Sequence, residues 1–276
     1  MAGLERPGGI ELHWEERGKG PLVVLAPWWS GHPGVYEDLL SDLARDHRVV
    51  VWDARGTGGS THAGPYDMQT DCDDLEAILE EAGGAAVVIA TADGANRGAH
   101  VAARRPDLVA AVVALGTAPF ARAQFEGSEG MIASDTVVGA FLEMVERDYR
   151  GALRTLLAAT NAQMSEAELR ERVSFQISYC PQEAAVARVH AWAEDDPMSA
   201  ARETGERLWV FAAPDVAGLW LPPARERRRL TEALIPEARI VETEGTTGPI
   251  SQPGFAADLI RRISAPLRVG AGERPA

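Results

Sequence analysis

The chain alternates short apolar runs with longer amphipathic stretches, and this alternation limits its fold more than any other feature. Some runs, such as 87–89 and 112–115, are apolar at every position, as expected for strands that helices cover on both faces. Strands that alternate with helices predict βαβ units around a mostly parallel sheet, an α/β fold. Strands are predicted at 10–16, 22–26, 48–53, 85–91, 109–115, 208–213 and 238–242, and helices at 35–46, 69–82, 94–105, 223–234 and 253–263.

The alternation breaks between residues 119 and 206. This stretch contains helical patterns at 136–146, 149–160, 165–175 and 182–193 and no convincing strand. It predicts a helical cap, 119–206, inserted into a core made of 1–118 and 207–276. The cap would cover the carboxyl edge of the sheet, where ligands bind in open α/β sheets.

Charge and composition exclude several classes of partner. A net charge of −14 argues against nucleic acid or an anionic membrane as a partner.

The two cysteines, Cys72 and Cys180, have no metal-ligand spacing and are expected to be packed thiols. We expect no metal and no cofactor. No secretory signal and no apolar run of roughly 20 residues is visible, which predicts a cytoplasmic protein. The expected partner is a small-molecule or peptidic ligand, and a homodimer is left open.

Three segments resemble motifs of the α/β-hydrolase superfamily at similar mutual spacing. Residues 51–60 read V-W-D-A-R-G-T-G-G-S, which looks like the family's D-x-R-G-x-G-x-S turn. Residues 87–95 resemble its nucleophile elbow, where a tight turn between strand and helix lifts the nucleophile above the sheet. Residues 241–255 resemble its histidine loop and the following helix. The resemblance implies an α/β-hydrolase fold, a mostly parallel sheet flanked by helices with an inserted cap.

The elbow pattern, small-x-nucleophile-x-Gly, places Ala92 at the nucleophile position. A register shifted by one residue would place Asp93 there, like the aspartate nucleophile of related dehalogenases. That shift would move Gly94 out of the place where the turn needs a small residue. We therefore prefer Ala92.

The other two positions of the resembling Ser-His-Asp triad also depart from the family pattern. The histidine position falls on Thr246, or on Thr247 with a one-residue deletion, and no histidine follows His190. Asp215 stands at or next to the position of the acid, although a simple turn residue is an alternative reading. The mechanism of that triad requires a hydroxyl and an imidazole, which Ala92 and Thr246 do not supply.

These departures lead us to expect a non-hydrolytic enzyme, such as an isomerase, epimerase, lyase or cyclase. Its base would be Asp215, a residue of the cap or a carboxylate of the substrate itself, and the backbone N–H at Asp93 would stabilise an oxyanion. Trp28, Trp29 and Trp220 would line the ligand pocket together with Ala92 and Thr246. Two alternatives stay open: a non-catalytic ligand-binding protein, and a hydrolase with a relocated triad built around Ser30 and His32.

Overall fold

A computed structural model describes residues 2–116, 118–120, 134–161, 164–212, 224–242 and 253–270. Its strands are β1 Ala2–Arg6, β2 Ile10–Arg17, β3 Leu22–Leu25, β4 Arg48–Trp52, β5 Ala86–Ala90, β6 Val109–Gly116, β7 Leu208–Ala212 and β8 Arg239–Val241. Its α-helices are α1 Glu37–Leu43, α2 Met68–Ala82, α3 Gly94–Arg104, α4 Ser134–Arg147, α5 Tyr149–Thr160, α6 Glu166–Tyr179, α7 Gln182–Glu194, α8 Met198–Thr204, α9 Ala224–Leu234 and α10 Pro253–Gly270.

The eight strands form one sheet in the order β1-β2-β4-β3-β5-β6-β7-β8. β1 and β2 pair antiparallel with each other, and β2 pairs antiparallel with β4. All other neighbouring pairs are parallel. The predicted α/β-hydrolase fold with a mostly parallel sheet is confirmed. In this order β3 and β5 are neighbours, so the loops that follow them meet at the same edge.

Apolar side chains are buried on both faces of the sheet. On one face, α1 and α10 pack over the sheet and bury residues such as Leu39 and Ile260. On the other face, α2, α3 and α8 bury residues such as Leu75, Ala99 and Ala201. The fully buried strands β3 and β5 lie between these two layers, which explains their uninterrupted apolar sequences.

The described elements between β6 and β7 are all helical, and α4 to α8 are here called the cap helices. α4 to α7 share an apolar cluster of their own, which contains Val145, Leu153 and Val189. Trp29 from the core packs against this cluster. The predicted boundaries at 118/119 and 206/207 stay predictions.

The sequence pattern missed two elements and ended two helices early, α6 at 175 and α10 at 263. β1 is an edge strand, and Leu4 is its one apolar residue that packs against the core. Its sequence therefore lacks the apolar pattern by which a strand is predicted. α8 has seven residues, too few for a clear helical period. α10 runs past the predicted end at 263 and includes Pro266, where proline usually ends a helix. Within the described ranges, no helix is long and apolar enough to cross a membrane.

Candidate active site

β5 passes into α3 through a tight turn with Ala92 at its apex. Ala92 has φ of 46°, in the left-handed region that costs a non-glycine residue about 1–2 kcal/mol. It is exposed, whereas every residue of β5 is buried. A strained, exposed residue between a buried strand and a helix is the geometry of a nucleophile elbow. The apex is therefore Ala92 and not Asp93, as the preferred register predicts.

The elbow lies close to the loop after β3, and Gly94 makes this approach feasible. A Cβ on Gly94 would lie 2.9 Å from the carbonyl oxygen of Pro27 and 3.2 Å from that of Ala26. These are backbone atoms, so they move only if the whole loop moves. The small residue at position 94 thus holds the elbow against the loop that carries Trp28 and Trp29.

The carboxylate of Asp93 points into the protein and fixes the same loop. Its Oδ1 accepts a hydrogen bond from the backbone N–H of Trp29 at 2.7 Å. Its Oδ2 lies 2.6 Å from Nη1 of Arg97, one helical turn further along α3. With 4% of its surface exposed, the Asp93 side chain is part of the support of the elbow. Only its backbone N–H, which follows the apex, stays a predicted ligand contact.

A buried ion network continues from Arg97. Nε and Nη2 of Arg97 lie 3.0 and 2.9 Å from Oδ2 of Asp71 on α2. The same carboxylate accepts two hydrogen bonds, both 3.0 Å, from Arg188 on α7. Burial alone would raise the pKa of Asp71, but the guanidinium groups of Arg188 and Arg97 outweigh it and lower the pKa to about 2.

The two tryptophans of the loop after β3 face different surroundings. Trp28 packs edge to face on Tyr36, with ring centres 5.5 Å apart, beside the α1 layer of the core. Trp29 packs on Phe141 and Tyr149, with ring centres 5.3 and 6.1 Å apart. Trp29 therefore forms part of an aromatic wall at the junction of core and cap. Trp28 packs beside the core and also borders a small cavity together with Pro27 and Arg188, and its contact with a ligand stays a prediction.

Ser30 and His32, the candidate pair for a relocated triad, have separate partners. Ser30 is buried with φ of 51°, and its Oγ shares a hydrogen bond of 2.7 Å with the Tyr149 hydroxyl. Nδ1 of His32 accepts the backbone N–H of Gly34 at 3.0 Å, and its ring packs against Tyr179. The loop therefore does not arrange these two residues as nucleophile and base.

The remaining histidines and the cysteines also have structural surroundings. His190 is half-buried, and its Nε2 lies 2.6 Å from Oε1 of Glu146. Four further histidines each have a hydrogen-bond partner: His13 bonds to Asp53, His62 to the Gly58 carbonyl and His100 to Asp195. His47 bonds to both Asp46 and Ser264. Burial raises the pKa of Cys72 to about 12 and raises that of Cys180. Neither thiol is a nucleophile near neutral pH in these surroundings.

Three predicted site residues, Asp215, Trp220 and Thr246, lie outside the described residues, as does Thr247. Sequence reasoning missed the ion network behind the elbow. One signal for it was available, because Asp93 directly precedes the predicted helix 94–105 and Arg97 follows it by four residues, the spacing of one helical turn. Asp71 and Arg188 are 117 residues apart and carry no comparable signal.

Comparison with known proteins gives a consistent picture. The sequence family described as alpha/beta hydrolase fold matches residues 21–199. Pimeloyl-[acyl-carrier protein] methyl ester esterase of Vibrio atlanticus is 26% identical over 147 residues, which cover 53% of this chain and 56% of that protein. 2-(Acetamidomethylene)succinate hydrolase of Mesorhizobium japonicum is 30% identical over 115 residues, 41% of each chain. The chain thus matches about half the length of these relatives.

Solved structures agree on the fold. An esterase from Exiguobacterium antarcticum superposes with a TM-score of 0.77 at 15% identity, over 95% of this chain and 98% of that one. A bromoperoxidase from Bacillus anthracis superposes with a TM-score of 0.71 at 20% identity, over 95% of both chains.

These names overturn the function expected from the elbow. The relatives are named as esterases and hydrolases, so the expectation of an isomerase, epimerase, lyase or cyclase is wrong. The alternative of a non-catalytic ligand-binding protein is wrong for the same reason. The expectation treated the departures at Ala92 and Thr246 as a loss of hydrolysis, although the tight turn of the elbow and its contact with the loop after β3 are present.

Proposed function

Because the chain belongs to the α/β-hydrolase fold family, we propose that it hydrolyses carboxylic esters of small or peptidic apolar molecules beside Ala92. The observation that carries this proposal is the elbow itself. Its strained apex, its close approach to the loop after β3 and its position at the start of α3 are all present.

Residue 92 does not supply the attacking atom in the reaction we propose. The methyl group of alanine has no lone pair, so the triad of the resembling family is not used here. Ser30 is bound to Tyr149, and burial keeps the thiol of Cys180 protonated. We therefore assign the attack to a water molecule, for which the small side chain of Ala92 leaves room above the apex.

Asp215 is our proposed base for this water. It follows β7 in the sequence, and β7, β6 and β5 run parallel, so their carboxyl ends reach the same edge as the elbow. In the attack, the water oxygen bonds to the ester carbonyl carbon and its proton passes to the Asp215 carboxylate. The proton then goes to the leaving alkoxide as the bond between carbonyl carbon and alkoxide oxygen breaks.

Stabilisation of the intermediate oxyanion is assigned to the start of α3. The backbone N–H of Asp93 follows the apex, and the amino end of a helix carries a partial positive charge. A hydrogen-bond donor that is already oriented towards the oxyanion lowers the activation free energy by about 3 kcal/mol. The buried Asp93 carboxylate supports such orientation by fixing the neighbouring loop.

The apolar substrate class is supported by the aromatic wall. Trp29, in the loop that touches the elbow, contacts both Phe141 and Tyr149 at the junction of core and cap. Aromatic surfaces of this kind favour an apolar acyl or alcohol group over a charged one.

The test is hydrolysis of p-nitrophenyl esters of increasing chain length by the purified chain. We expect saturable turnover with a preference for apolar acyl groups, and a loss of about 10²–10⁴-fold in kcat for Asp215→Asn. Asp38→Asn, an exposed aspartate on α1, is the matched control and should keep wild-type rates. Hydrolysis no faster than in buffer alone for every ester would refute the proposal.

A further inference from the structure

The ion network behind the elbow joins the cap to the loop after β3. Its four charged residues, Arg188, Asp71, Arg97 and Asp93, are each at most 4% exposed and follow one another in contact. We propose that Arg188, Asp71 and Arg97 are positioning residues that couple the docking of the cap to the position of Trp29 beside the elbow. The consequence for catalysis rests on the proposed function, but the coupling itself does not.

The network begins on the cap helix α7. Arg188 makes two hydrogen bonds to the carboxylate of Asp71 on α2, and its Nη2 also donates to the carbonyl oxygen of Arg55 at 2.6 Å. This paired geometry fixes both distance and angle between α7 and α2. A shift of α7 therefore has to break it or carry Asp71 along.

Arg97 transmits the constraint across α3. It bridges the carboxylates of Asp71 and Asp93, and its Nη1 also donates to the Pro27 carbonyl oxygen at 3.1 Å. Two positive and two negative charges alternate along the path, so the network is neutral as a whole. Removing one member leaves a buried charge without its partner, which forces a rearrangement.

The path ends on Trp29, which α7 also contacts directly. The backbone N–H of Trp29 donates to Asp93, and its indole Nε1 donates to the carbonyl oxygen of Ala185, one turn before Arg188 on α7. One cap helix thus holds the same loop residue at its side chain and, through the network, at its backbone. Because α7 holds Trp29 at both its side chain and its backbone, we assign to the network the positioning of Trp29 and not only the stabilisation of the fold.

Hydrogen exchange tests the coupling without any substrate. The double variant Arg188→Met/Asp71→Asn removes one positive and one negative charge and leaves Arg97 paired with Asp93. We expect peptides covering 26–32 to exchange about tenfold faster in this variant, the effect of weakening one charge-assisted hydrogen bond. Arg154→Met, which removes an exposed ion pair to Glu166 within the cap, should leave these peptides unchanged.

Two results would overturn the inference. One is unchanged exchange of 26–32 in the double variant. The other is equal acceleration of 26–32 and of the peptides of β5 and β6, which would indicate a stability role alone.

A kinetic split adds a second readout. With p-nitrophenyl butyrate, the double variant should have a lower kcat and a nearly unchanged KM. The reason is that a displaced loop after β3 loses contacts that stabilise the transition state more than the bound substrate. A raised KM with unchanged kcat would contradict the consequence for catalysis. If the wild-type chain does not hydrolyse the ester, the proposed function fails, and the exchange experiment still decides the coupling.

Discussion

Substitution of Gly94 by alanine tests the contact between the elbow and the loop after β3. The new Cβ would lie 2.9 Å from the Pro27 carbonyl oxygen, closer than such atoms approach each other in proteins. Relieving that contact requires movement of the loop, at a cost typical of overpacking, about 1–3 kcal/mol. Alanine gains about 0.5–1 kcal/mol over glycine in a helix. The net expectation is a loss of about 0–2.5 kcal/mol.

Gly139→Ala measures separately the stability that alanine gains over glycine in a helix. Gly139 lies in the cap helix α4, and a Cβ there meets no atom within 4 Å, so this variant should be stabilised by about 0.5–1 kcal/mol. Urea denaturation of both variants and the wild type then measures the cost of the close contact as the difference between the two effects. Gly94→Ala should also lower ester turnover, because the loop moves away from the elbow. Equal stabilisation by both substitutions would show that the loop does not press on the elbow.

Three further predictions concern buried groups. The pKa of Asp71 is lowered to about 2 from its ordinary value of 3.8, so its stabilising effect is complete above about pH 4 and is lost as the pH falls towards 2. It should amount to about 2 kcal/mol, and urea denaturation at several pH values should show a flatter pH dependence in Asp71→Asn. The thiols of Cys72 and Cys180 should not react with Ellman's reagent at about pH 8 until urea unfolds the chain, and fast reaction of the folded protein would contradict their burial. Tyr149→Phe should cost about 1–3 kcal/mol of unfolding free energy, because the buried Ser30 hydroxyl and the Cys180 carbonyl oxygen both lose the Tyr149 hydroxyl as a partner. An unchanged denaturation midpoint would count against these contacts.

The core of the fold could be predicted from the sequence because its signals are local. Seven of the eight strands follow from apolar runs, and β1 escaped because only one of its residues packs against the core. The apex of the elbow was also predictable, since Gly94 and the helix after it favour the register with Ala92 at the apex over the one with Asp93. Its positive φ at Ala92 is a property of the backbone that the sequence pattern implies.

The supporting network was not predictable, because it depends on contacts between distant segments. Asp71, Arg97 and Arg188 are ordinary charged residues on three helices, and only the folded chain brings them together. The function was misjudged for a different physical reason. The hydrolysis that we propose uses an oriented N–H donor and a water molecule in place of a side-chain nucleophile, and the residue at the apex does not reveal this.

Ester turnover in the presence of a serine-reactive fluorophosphonate tests the central claim most directly. The purified chain is incubated with the probe, p-nitrophenyl butyrate hydrolysis is followed, and the protein is mapped by mass spectrometry. We expect turnover to persist with no serine labelled, because water and not a serine attacks the carbonyl beside Ala92. Turnover that stops as one serine acquires the probe would contradict this account.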